Sequence, residues 1–141
     1  MILVVDASVI VKWHVDEPDF QIARQLLLDT RYSLVAPGHA FGEIGSALAA
    51  YVRRGIVKRD NVRTIGENIV RTLQTRAVDV LIPAAVDIAL DVGVTVYDAF
   101  YVALAADLDA PLATADKRLV AAASRSPHGH RVRHFAELVQ Q

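Results

Sequence analysis

A chain of 141 residues, 53% of them hydrophobic and 22% charged, has the material for one domain with a real core and is no disordered tail. Its 15 Lys and Arg nearly balance 16 Asp and Glu, and the absence of cysteine removes disulfides, thiolate zinc sites and cysteine nucleophiles. The longest stretch free of charged residues, Tyr32 to Gly42, falls well short of the ~18 apolar residues of a membrane span. The opening Met1 to Val5 has no base before it and is stopped by Asp6, so it does not read as a signal peptide. These features predict a soluble, cytoplasmic protein.

Ile2 to Val5 is a continuous apolar run rich in β-branched residues, the pattern of a strand buried on both faces. Val9 to Trp13 begins a short helix or loop. Asp16-Glu17-Pro18-Asp19 predicts a helix start, and that helix carries Ile22, Leu26 and Leu27 inward to about Asp29. Leu34 to Ala36 reads as a second strand. A helix follows from about His39 to Arg54, stopped by Gly55. Asp60 is placed to cap a further amphipathic helix reaching about Thr75. Val78 to Ile82 is expected as a strand and Pro83 to Leu90 as a helix, with a turn or brief strand over Gly93 to Val96. Asp98 starts a helix over Ala99 to Ala106 that is apolar on nearly every side and therefore central. Pro111 to Ala113 is a strand and Asp116 to Ala123 a helix. Ser124 to His130 is a loop with a mobile composition, Arg131 to Arg133 an edge strand, and Phe135 to Val139 a terminal helical turn. This alternation predicts an α/β fold, a parallel sheet wrapped on both faces by helices.

Charge is segregated along the chain. Arg53 to Arg76 holds seven bases and two acids, Asp79 to Asp109 six acids and no base, and Lys117 to Arg133 five bases and no acid. Such a chain can present an acidic centre with basic flanks. Twelve of the bases are Arg, which suits phosphate, although 22 alanines point equally to a compositional bias.

Four acids stand out. Ligands of doubly wound folds sit at the carboxyl ends of strands, where Asp6 follows Val5 and Asp116 follows the strand over Pro111 to Ala113. If those strands are neighbours, the two carboxylates share a crevice. Glu43 has Ser46 and Ala47 at i+3 and i+4 in place of a cation, so no ion-pair face explains it. Asp98 has Tyr101 and Val102 there. Helix capping would account for Asp98 and Asp116 singly, but not for Glu43. Carboxylates gathered in one pocket need protonation or a cation, and hard oxygen donors without Cys or a His pair favour Mg²⁺ or Mn²⁺ over zinc.

Val4-Val5-Asp6-Ala7-Ser8, the Glu43 helix, Tyr97-Asp98-Ala99-Phe100-Tyr101-Val102-Ala103-Leu104-Ala105 and Leu112-Ala113-Thr114-Ala115-Asp116 resemble, in order, the motifs of PIN-domain ribonucleases. They are most similar to the VapC toxins of bacterial toxin–antitoxin pairs, and the resemblance covers essentially the whole chain. It departs at Ile44 to Leu48, where many relatives carry an Asn. It implies a single PIN domain over residues 1–141, a three-layer α/β/α sandwich around a parallel sheet. It further implies Asp6, Glu43, Asp98 and Asp116 as an acidic quartet around one or two Mg²⁺ or Mn²⁺ ions, supported by the hydroxyls of Ser8 and Thr114. The activity implied is RNA cleavage leaving 5′-phosphate and 3′-hydroxyl ends. A homodimer and a VapB-like antitoxin, whose tail covers the groove, are the implied partners.

Lys117 and Arg118 adjoin Asp116 and offer a phosphate contact or a plain solvated helix start, and Trp13 offers an aromatic wall or core packing. Four other readings compete. An aspartyl-phosphate phosphatase wants an acid at position 8, where Ser8 stands. A phosphorelay receiver wants an Asp at the end of a third strand, where only Asp79 at its start is available. A PIN-like module without activity would not need the intact quartet, and a PIN nuclease of RNA processing would keep it without a toxin pair.

Overall fold

The structure, a computed structural model, describes residues 1–139. Five parallel strands form one sheet: β1 (Ile2–Val5), β2 (Ser33–Pro37), β3 (Gln74–Arg76), β4 (Leu112–Thr114) and β5 (Val132–His134), in the order β3-β2-β1-β4-β5. β1 is central because its side chains can be buried on both faces; Leu3, Val4 and Val5 are fully inaccessible. Val4 pairs with Val35 on one side and Leu112 on the other. The chain leaves β1 toward β2 and β3, then returns across it to β4. That reversal opens a crevice at the carboxyl ends of β1 and β4.

The helices are α1 (Ala7–Ile10), α2 (Phe20–Leu28), α3 (Ala40–Arg53), α4 (Val62–Thr72), α5 (Ile82–Ile88), α6 (Val96–Asp107), α7 (Lys117–Ser124) and α8 (Phe135–Val139). The central position expected for α6 is observed, with Tyr101 to Ala105 buried without interruption. Among the described residues no single helix is long and apolar enough to cross a membrane.

Two elements differ from expectation. Val78 to Ile82 is not a strand: Asp79–Leu81 is a 3₁₀ turn that runs into α5. The residues facing the core there are Val78, Leu81, Ala85 and Ile88, a three-to-four-residue spacing that belongs to a helix. The third strand is instead Gln74–Arg76, overlapping the end of the segment expected to be helical. It is a polar, exposed edge held by pairing with β2, so it carries no alternation of apolar residues.

Smaller differences concern helix starts. α2 begins at Phe20, after Asp19 in a left-handed conformation (φ 65°), so Val15 to Asp19 forms a turn beside the crevice. Asp60 sits in a 3₁₀ turn ahead of α4 and does not cap it. α6 starts at Val96 and is capped by Thr95, whose hydroxyl accepts from Asp98 N–H at 3.1 Å. The loop over Ser124 to His130 is closed by hydrogen bonds through Ser126, and a Cβ at Gly129 would press to 3.0 Å from Ala123 O and Ser124 Cα.

Candidate active site

Asp6, Ser8, Glu43, Asp98 and Asp116 line one cavity of about 380 Å³ at the crevice, with Lys12 and Glu17 on its wall. The sheet places Asp6 and Asp116, α3 brings Glu43, and the start of α6 brings Asp98. Small residues, Ala7, Ala47 and Ala115, complete the lining and let a ligand approach closely.

Asp6 is only 6% exposed, and its position is over-determined. Its N–H donates to Ala113 O at 3.0 Å, tying the end of β1 to β4. Its Oδ2 accepts from Thr114 Oγ1 at 2.6 Å and Ser8 Oγ at 3.0 Å. The same two hydroxyls accept in turn, Thr114 from Asp116 N–H and Ser8 from Ala115 N–H. Burial, reinforced by the nearby charges of Glu43 and Asp98, pushes Asp6 up to about 6 despite those hydroxyl bonds.

Glu43 Oε1 accepts from Tyr101 OH at 2.8 Å. That phenol, inaccessible on α6, also accepts from Ala7 N–H at 3.3 Å, so one hydroxyl links three elements around the cavity. His39 Nε2 lies 3.3 Å from the same Oε1 without hydrogen-bond alignment. Burial raises the Glu43 carboxyl, but His39 and Tyr101 together outweigh it and hold the group below its ordinary value. Asp98 is raised, first by burial and then by the charges of Asp116 and Glu43.

Asp116 does cap α7, its Oδ1 accepting from Arg118 N–H at 2.9 Å and Leu119 N–H at 3.3 Å. Capping occupies one oxygen only. For Asp98 the capping explanation is excluded, since Thr95 does that work.

The donors fit a hard divalent cation in kind. They are carboxylate oxygens, drawn together at mutual electrostatic cost. As the side chains stand, no three carboxylate or imidazole groups among the described residues converge closely enough to ligate one ion. Holding a metal therefore requires side-chain adjustment within the cluster.

A PIN domain family model matches residues 3–124 of the chain. The chain belongs to the PIN-domain family. This PIN domain is 33% identical over 122 residues to "Ribonuclease VapC3" of Pyrobaculum aerophilum, covering 84% of the chain and 92% of that protein. In fold it is similar to the crystal structure of PAE2754 from the same organism, with a TM-score of 0.74 and 21% identity over 98% of this chain and 86% of that one.

Four residues of this PIN domain's site were not anticipated, Lys12 and Glu17 lining the cavity and His39 and Tyr101 standing behind Glu43. His39 carried a signal, because it stands at i−4 from Glu43, on the side opposite to the i+3 and i+4 positions considered. Tyr101 lies inside the motif, but an aromatic on an apolar helix signals packing before it signals a hydroxyl donor. Lys12 and Glu17 carried none, since their place depends on how the turn before α2 folds back. Two alternatives that the sequence leaves open are decided. Trp13 is 3% exposed and packs in the core away from the cavity, because its indole buries more apolar area there than a polar wall allows. Lys117 lines a separate cleft with His134 and Glu137, and Arg118 is exposed, because the helix they open points away from the acids.

Proposed function

We propose that this PIN domain is a metal-dependent endoribonuclease of the VapC type, with Asp6, Glu43, Asp98 and Asp116 as its catalytic acids and metal ligands. The observation that carries the reading is the gathering of these four carboxylates at the β1/β4 crevice with no structural role that accounts for Glu43 or Asp98. The similarity to a protein named as a ribonuclease supports RNA as the substrate class.

Mg²⁺ or Mn²⁺ held by the quartet would make water a competent nucleophile near neutral pH and offset charge on the phosphate. The chain's own residues prepare this. Thr114 and Ser8 fix one oxygen of Asp6 and leave the other for the cavity; Tyr101 does the same for Glu43, and α7 for Asp116. In the displacement, water oxygen bonds to phosphorus and the P–O3′ bond breaks, leaving 5′-phosphate and 3′-hydroxyl ends. Fixing three acids beforehand lowers the reorganisation that binding and reaction require.

A VapB-like antitoxin and a homodimer complete the proposal. A basic side chain from the antitoxin tail suits an acidic cavity, and its affinity should fall as Mn²⁺ is added in calorimetric titrations. The defining experiment is RNA cleavage with Mn²⁺ or Mg²⁺, with and without EDTA, beside Asp98→Asn. Cleavage that survives both EDTA and the substitution overturns the reading.

A further inference from the structure

Lys12 is the one base among the residues lining a cavity that also carries five acids: Asp6, Glu17, Glu43, Asp98 and Asp116. Its side chain is 13% exposed and follows α1 in a 3₁₀ turn, Val11–Trp13. The ammonium donates to Pro18 O at 2.9 Å and lies 3.4 Å from Glu17 Oε2. Glu17 is itself 16% exposed and is gripped on its other oxygen by the hydroxyl of Tyr51 from α3. Burial and Glu17 push the Tyr51 phenol up to about 12, so it remains a donor at neutral pH.

An ammonium has three N–H donors. Pro18 and Glu17 engage two of them, and one remains for a ligand in the cavity that Lys12 lines. A cation fixed in this way needs no reordering when an anion arrives. The bases that adjoin Asp116 in sequence do not face this cavity, so Lys12 is the one placed to meet a phosphate there.

We infer that Lys12, held by Glu17 and Pro18, is a substrate-binding residue that contacts a non-bridging phosphate oxygen of the RNA strand in the acidic cavity. The inference rests on the nuclease reading for its substrate class, but its test does not depend on turnover. Binding of a short, labelled, mixed-sequence single-stranded RNA is followed by fluorescence anisotropy across a salt series. Ca²⁺ stands in for Mn²⁺, since it accepts oxygen donors in looser geometry.

Lys12→Met should weaken binding about tenfold and reduce the salt slope by about 0.7, the value of one lost contact to a single strand. Lys12→Arg should retain most of the affinity. Glu17→Gln removes the competing carboxylate and should leave binding equal or tighter. A Lys12 that merely ties down the turn predicts another pattern, in which Lys12→Met and Glu17→Gln weaken binding and lower Tm in parallel; that result overturns the inference. So does a Lys12→Met protein that binds like wild type with the same salt slope, or a wild type that binds no RNA. If binding depends on Lys12 as expected but wild type cleaves no RNA with Mn²⁺, the nuclease reading fails and the phosphate contact stands.

Discussion

Asp6 and Asp116 occupy equivalent places, each just beyond the carboxyl end of one of two adjacent parallel strands, yet their surroundings differ. Asp6 is buried, accepts from two side-chain hydroxyls and caps none of the backbone N–H groups of the helix it precedes. Asp116 is partly exposed and commits one oxygen to two backbone N–H groups of α7. Thr114 connects them, donating to Asp6 Oδ2 and accepting from Asp116 N–H. Topology thus brings two acids to one crevice, while the local backbone decides that one contributes to the fold and the other is carried at a cost.

The widest separation between the two should appear in turnover. Asp6→Asn keeps an oxygen to accept from Thr114 and Ser8, so the fold should persist while RNA cleavage falls by about a hundredfold or more. Asp116→Asn, with an equally good cap, should lose about tenfold. Equal losses from initial-rate measurements would erase the distinction between the two ends.

A second test uses pH. Between pH 3.8 and about 6 the folded state holds a proton on Asp6 that the unfolded chain releases. Raising pH through this window therefore weakens the metal-free fold, by up to about 3 kcal/mol once Asp6 is ionised. Asp98, also raised, adds in the same direction, whereas the lowered Glu43 acts in the opposite direction and only below its ordinary 4.5, at the acid end of the window. Urea unfolding of metal-free protein from pH 4 to 7 should show the fall, and Asp6→Asn should flatten it. A stability that rises over this range would contradict the burial assigned to Asp6.

The cap supplies the reverse expectation. Asp116→Ala leaves the first N–H groups of α7 without their side-chain acceptor and should cost about 1 kcal/mol in the same unfolding assay. The smallest effect concerns Asp98, which is raised by burial and like charge and spends nothing on capping. Asp98→Asn should raise the Tm of metal-free protein by a few degrees and reduce the further rise that Mn²⁺ produces. A lower Tm with the full Mn²⁺ response would make Asp98 a structural residue.

Much of this was legible along the chain, and for a reason that differs by element. β1 and the middle of α6, Tyr101 to Ala105, declare themselves because each is buried on all sides, so their residues must be apolar. The acids at their ends stand out against such neighbours. β3 left no trace, since an exposed edge strand is held by backbone pairing that any polar triplet can make. Val78 to Leu81 misled for the complementary reason, a short apolar run being compatible with either period until its neighbours in space are known. Composition, element alternation and the strand-end acids follow from local rules, in which each residue answers to those one to four positions away. Tertiary structure alone decided that Tyr101 would steady Glu43 across 58 positions, that Thr114 would reach Asp6 across 108, and that Lys12 would face the acids. Those contacts depend on which strands become neighbours and how far a turn folds back, and neither has a period that a linear sequence can display.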